Sequence, residues 1–161
     1  MNANTDNQEL FTRRQFLELT GGLGAGALLA SAGTAFSVGQ ADGRTIRIAV
    51  VGGGFGSSFQ WHEHPNCVVT GVTDLRPDRR DKLRKTYNCD TVYDSLEIMI
   101  KEAKDVDAVA IFSGALDHVK HAKMCLARGW HVISAVPACH TLEEAHALKD
   151  ITRRTGLTYM M

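Results

Sequence analysis

The chain of 161 residues has no excess charge of either sign, with Lys+Arg and Asp+Glu at 18 each. Bulk electrostatics therefore draws it towards no polyanion. A basic stripe interleaved with aromatics is also missing, so no nucleic-acid partner is expected. Cysteine occurs only at Cys67, Cys89, Cys125 and Cys139, with neither a C-x-x-C pair nor metal-ligand spacing. No metal site is expected from them, and Cys67 and Cys125, set in apolar runs, read as small core residues. The one extended apolar run, residues 19–36, is too rich in glycine and alanine to read as a membrane span. What the chain does have is 44% hydrophobic residues, enough for the core of one domain, with or without a tail.

The most informative stretch is Thr45–Asp74. Apolar and β-branched residues from Ile46 to Val51 run into the cluster Gly52-Gly53-Gly54-Phe55-Gly56. A short helix is expected next, then a second apolar run, Val68–Val72, that stops at Asp74. This is the layout of a βαβ unit that holds the diphosphate of a dinucleotide. Gly52 turns the chain off the strand, and Gly54, lacking a Cβ, lets backbone approach phosphate. The helix would aim free N–H groups and a partial positive charge at the anion. Asp74 stands where an acid accepts hydrogen bonds from the adenosine ribose. The third glycine of G-x-G-x-x-G falls on Ser57, with Gly56 beside it, so the register of the turn is open. Asp74 argues for NAD, because a carboxylate repels a 2′-phosphate; Arg76, turned inward, would favour NADP.

The remaining sequence alternates. Pro77–Tyr87 reads as a helix, Thr91–Tyr93 as a short strand, and Asp94 or Ser95 as the cap of a helix to about Lys104. Asp107–Ser113 is an apolar run suited to a strand covered on both faces. A helix over Leu116–Arg128 is closed by Gly129, and Trp130–Val136 is the next strand. Thr141-Leu142-Glu143-Glu144 is a capping box opening a helix that ends near Gly156, and Leu157–Met161 begins another strand. The fold class is therefore α/β, a doubly wound parallel sheet of Rossmann type with right-handed crossovers. Ligands of such sheets bind beyond the carboxyl ends of the strands, where strand order reverses.

Ahead of this domain, Thr12-Arg13-Arg14-Gln15-Phe16-Leu17 resembles the twin-arginine export motif, and Ala30-Ser31-Ala32 fits a small-residue cleavage site. Glu18 departs from the motif, where lysine is commoner, and Asp6 and Glu9 dilute the basic charge before the apolar run. Residues 1–43 are read as signal peptide and linker, and residues 44–161 as the dinucleotide-binding domain. The expected partner is the twin-arginine export machinery, and the expected location is periplasmic or otherwise extracytoplasmic. That route carries folded proteins with cofactor in place, which suits a nucleotide enzyme working where free nucleotide is scarce. The alternative is an extension whose Arg-Arg is accidental.

Several segments together resemble the Gfo/Idh/MocA family of oxidoreductases. They are the turn at Gly52–Gly56, Asp74, D-A-V-A-I-F-S-G-A-L-D-H at Asp107–His118, A-R-G-W-H-V-I-S-A-V-P-A at Ala127–Ala138, and the stretches T-L-E-E-A-H-A-L and G-L-T-Y-M-M. The resemblance spans about Arg44 to Met161. It implies NAD, less readily NADP, as cofactor and a small sugar or polyol as substrate. It implies that Gly52, Gly54, Phe55, Gly56 and Asp74 hold the cofactor, and that Ser113, His118 and Pro137 line its nicotinamide end. Relatives carry a second, open-faced α/β lobe for the substrate and for contacts between copies. That lobe is expected to be absent from this chain, with any remaining catalytic groups and any homo-oligomer contact.

Two departures bear on activity. Relatives often have Glu-Lys-Pro after the fifth strand, whose lysine assists proton or hydride chemistry; here the triplet is Ala135-Val136-Pro137. Valine can neither donate a side-chain hydrogen bond nor carry charge. NAD-dependent glycosidases of the same superfamily look similar, with Glu-Val-Pro; they oxidise a sugar carbon transiently, eliminate the aglycone, add water and return the hydride. The second departure is Ser113-Gly114-Ala115 in place of Thr-Pro-Asn. A third reading is a binding protein that keeps the fold without the chemistry. His118 matches a recurrent family histidine, either orienting the nicotinamide end or capping a helix. His140 follows the Pro137 turn and is a further catalytic candidate. The H-x-H of His62 and His64 reads as a solvated helix end rather than a metal site. His121 and His146 read as helix-surface residues, and Ser57 and Ser58 lack partners for a nucleophile.

Overall fold

A computed structural model of the chain describes residues 43–161. The signal peptide and linker expected over residues 1–43 lie, Gly43 apart, outside the described residues. Six strands form one sheet, all parallel, in the order β3-β2-β1-β4-β5-β6. They are β1 (Ile46–Val51), β2 (Cys67–Thr73), β3 (Val92–Tyr93), β4 (Ala108–Ile111), β5 (His131–Ser134) and β6 (Tyr159–Met160). The helices are α1 (Pro77–Tyr87), α2 (Leu96–Glu102), α3 (His118–Arg128) and α4 (Leu142–Thr155). The expected doubly wound Rossmann-like sheet is thus present, and strand order reverses between β1 and β4.

Continuous apolar strands are buried on both faces. From β1, Ala49 and Val51 join α2, α3 and α4 in one core, while Ile48 and Val50 join α1 in the other. On α3, Val119, Ala122, Cys125 and Leu126 form the inward stripe. Each fully buried leucine or methionine here, such as Leu126, Leu83 and Met99, contributes about 1.5–3 kcal/mol. Burial pushes the Cys125 thiol up to about 12, and all four cysteines are free.

The helix ends follow their sequence signals. Pro77 opens α1, Asn88 closes it in the left-handed conformation, and Gly129 and Gly156 close α3 and α4 the same way. Ser95 rather than Asp94 caps α2, accepting from the Ile98 N–H. The capping box of α4 has both its hydrogen bonds.

The helix expected after the glycine turn is not there. Between β1 and β2 the chain makes only two short 3₁₀ turns, Gly56–Ser58 and Trp61–Glu63. In their place an aromatic stack fills the space over the sheet: Phe59 lies on Phe112 at 4.6 Å and on Trp61 at 5.5 Å between ring centroids. Tyr87 of α1 reaches back, its hydroxyl against the carbonyl oxygens of Gly56 and Phe59. Burial raises that phenol to about 12, so it stays a donor.

At the opposite end of the sheet, Arg47 clamps Asp107. The carboxylate accepts from the Arg47 backbone N–H at 2.9 Å and from its guanidinium at 3.0 and 2.9 Å, with Arg44 adding a contact at 3.2 Å. These bonds hold the Asp107 carboxyl well below the usual carboxylate range.

Candidate functional site

A cleft of about 570 Å³ opens beyond the carboxyl ends of β1, β2 and β4. Gly52, Gly54, Phe55, Asp74 and Ser113 line it; Gly56, His118 and Pro137 do not. The location follows from the fold, because strand ends diverge where the order reverses.

The turn itself is built from β1 outward. Gly52 has φ +100, and its N–H donates to the Thr73 carbonyl at 2.9 Å. A Cβ there would lie 2.3 Å from the Phe112 carbonyl oxygen, so only glycine fits. Gly56 is buried, and a Cβ on it would meet the Phe112 ring at 2.8 Å and Val50 at 3.1 Å. The close packing onto the sheet expected of the third glycine therefore falls to Gly56, one residue before Ser57. Gly54 is exposed in the cleft, and the nearest atoms to a Cβ there belong to the Arg79 guanidinium, at 3.4 Å. Among the described residues, the N–H groups of Gly54 and Phe55 have no hydrogen-bond acceptor. Two free adjacent amides on a glycine turn are a cradle for an anion. The residues present thus fit a dinucleotide's diphosphate, with the backbone and Arg79 in the role expected of the helix dipole.

Asp74 stands next to this cradle. Its Oδ2 accepts from the Gly53 N–H at 2.7 Å and its Oδ1 from the Arg76 N–H at 2.8 Å. An ionised carboxylate offers about four acceptor sites, so acceptor capacity remains for a vicinal diol. Arg76 is held by Asp78 through two bonds, at 3.1 and 2.8 Å. Arg79, by contrast, takes part in no ion pair among the described residues.

The β4 end supplies polar groups. Ser113 Oγ lies 2.8 Å from His121 Nδ1. The sequence suggests a surface role for His121, yet the residue is half-buried in the cleft, and that burial lowers its proton affinity. Its signal was its place on the stripe of His118, Ala122 and Cys125, three or four residues apart. His118 is 2% exposed; its Nδ1 lies 2.8 Å from the Pro137 carbonyl oxygen and its Nε2 3.1 Å from that of Ser113. The ring thus ties together the loops after β4 and β5, beside the cis Val136–Pro137 peptide. Val136 is exposed and adds no proton-carrying group.

Phe55 projects into the cleft at 58% exposure, edge-on to Phe59 and Phe112. His140 lies outside the cleft, where its backbone N–H donates to Glu144 at 2.7 Å. His62 and His64 are exposed, and His64 Nδ1 accepts from the Asn66 N–H at 3.1 Å. Among the described residues, no three His, Cys, Asp or Glu side chains gather as metal ligands do.

Comparison with known proteins places this geometry. A family model for Gfo/Idh/MocA, described as an oxidoreductase family with an NAD-binding Rossmann fold, matches residues 46–161. A glycosyl hydrolase family 109 protein of Streptomyces coelicolor is 31% identical over 123 residues, 69% of this chain and 26% of its own length. D-glucoside 3-dehydrogenase of Escherichia coli is 28% identical over 116 residues, 69% of this chain and 32% of its own length. The chain therefore spans about a quarter to a third of these curated relatives. The structure of scyllo-inositol dehydrogenase from Lactobacillus casei, with bound NAD(H) and scyllo-inositol, superposes with a TM-score of 0.66 at 24% identity, over 73% of this chain and 36% of that one.

Proposed function

The chain belongs to the Gfo/Idh/MocA oxidoreductase family through its NAD-binding Rossmann domain, and on that premise we propose that it is the nucleotide-binding half of an exported NAD(P)-dependent oxidoreductase acting on a sugar or polyol. The observation that carries the reading is one cleft holding both the free amides of Gly54 and Phe55 and the Asp74 carboxylate. Gly52 and Gly56 shape the turn, and Asp74 takes the ribose hydroxyls. Ser113 meets the bound nucleotide directly, whereas His118 acts through the loops it joins, the Pro137 loop included. Bound NAD supplies a hydride acceptor for a carbinol carbon. Asp74 supports NAD over NADP, although Arg79 could pair with a 2′-phosphate. Titrating NAD and NADP against the purified chain tests the reading: no affinity for either at millimolar concentration, with the fold intact, rejects it.

A second reading, an NAD-dependent glycosidase, is favoured by Ala135-Val136-Pro137, which lacks the lysine of the dehydrogenases, and by the family 109 relative. The polypeptide including its substrate lobe would release aglycone without net NADH under this reading, and accumulate NADH under the first. Export rests on the twin-arginine motif around Arg13-Arg14 and on the cleavage site at Ala30-Ser31-Ala32. Replacing both with lysine would retain the protein in the cytoplasm if that pair is the address.

A further inference from the structure

We propose that Glu97 and His121 read the amino edge of adenine at the far end of the cleft. This rests on the nucleotide reading above. The cleft that holds the glycine turn and Asp74 is also lined by Ser95 and Glu97 at the start of α2 and by Ser113, Lys120 and His121 after β4, which give it a polar end; Ser113, expected beside the nicotinamide, is assigned here to the base. A dinucleotide with its diphosphate on the turn and its adenosine ribose on Asp74 sends its base onward to that end. The helices α2 and α3 follow β3 and β4, so their first turns project past the same edge of the sheet and flank the base.

The two side chains offer opposite hydrogen-bonding roles. Glu97 is held as a carboxylate by its own backbone N–H and by the Ser95 hydroxyl, with His121 and Lys120 adding to the effect. It can only accept. His121 is kept neutral by burial. In the tautomer that the proposal requires, the Ser113 hydroxyl donates to Nδ1 and the proton sits on Nε2, free to donate to a base in the cleft that His121 lines. Adenine presents an exocyclic amino donor beside ring-nitrogen acceptors. Glu97 accepts from the amino group and His121 donates to N7, the ring nitrogen on the same edge, which is an acceptor in adenine and in hypoxanthine alike. Hypoxanthine reverses the first of these, placing a carbonyl oxygen against the carboxylate.

The test is calorimetric titration of the full chain with NAD and with nicotinamide hypoxanthine dinucleotide. Wild type is expected to bind NAD about five- to tenfold more tightly, the size of one hydrogen bond to a charged group in a partly wet site. Glu97→Ala should bring NAD down to the level of the analogue. Glu97→Gln, whose amide can donate to the hypoxanthine oxygen, should bring the ratio to about one by strengthening the analogue. Glu97 is exposed on the first turn of a short helix, so both variants are expected to fold. Equal binding by wild type, or an unchanged ratio in both variants, overturns the proposal. Failure of wild type to bind either dinucleotide, with its circular dichroism intact, removes the nucleotide reading and this inference with it.

Discussion

Asp74 Oδ2 accepts the Gly53 N–H at 2.7 Å, and this bond joins the end of β2 to the turn that leaves β1. The acid assigned to the ribose is therefore also a fastening of the phosphate cradle. Asp74→Ala should weaken NAD binding at least tenfold and lower stability by about 1–2 kcal/mol, since it strands the Gly53 N–H as well. Asp74→Ser removes the charge that repels a 2′-phosphate and leaves Arg79 beside Gly54, so NADP should gain on NAD. Parallel titrations with both nucleotides, and urea unfolding, measure the two effects.

Gly52 and Gly54 should part company when substituted. Gly52→Ala forces a Cβ onto the Phe112 carbonyl at positive φ. A loss of about 3 kcal/mol or more is expected, read as a fall in the urea midpoint. Gly54→Ala meets only the end of a flexible arginine. It should leave the midpoint within about 1 kcal/mol and yet weaken nucleotide binding, because the methyl group stands in the cleft.

The Tyr87 hydroxyl supports carbonyls that a longer first helix would have satisfied internally. Tyr87→Phe strands the Phe59 carbonyl and leaves that of Gly56 only the long bond from the Phe59 N–H, at a cost of about 1–3 kcal/mol. Nucleotide affinity should fall too, because Gly56 anchors the cradle. A variant with unchanged stability and affinity would show that the hydroxyl does nothing for the turn.

Asp107 sets an acid limit on stability. Its folded-state pKa lies below the unfolded value of about 3.9, so the folded form binds fewer protons. The stabilisation is present above that unfolded value and is lost as pH falls through the folded one. Asp107→Asn should cost about 1–2 kcal/mol at pH 7, after allowance for solvent around its arginine partners. That difference should shrink steadily below about pH 4 in urea titrations at stepped pH.

The strands β1, β2, β4 and β5 were legible because both-face burial demands near-continuous apolar runs. The ends of α1, α3 and α4 were legible through Pro77, Gly129 and the Thr141 capping box. The first crossover was not. A glycine turn after a strand leads one to expect a helix, but residues 57–66 carry no apolar stripe at helical spacing, and Pro65 stands near their end. Stacked aromatics, which periodicity does not register, hold that segment instead. Arg79 went unnoticed because its proximity to Gly54 arises only when α1 packs beside the turn.

The deep seat of Cys125 gives this domain an internal clock. Only a thiolate attacks an alkylating reagent, and a thiol at about 12, with no exposed surface, presents none until α3 lifts from the sheet. Under excess maleimide, Cys67 and Cys139, both part-exposed, should be marked first. Modification of Cys125 would then time each opening of the core, and a tightly held dinucleotide would slow it in proportion to its occupancy.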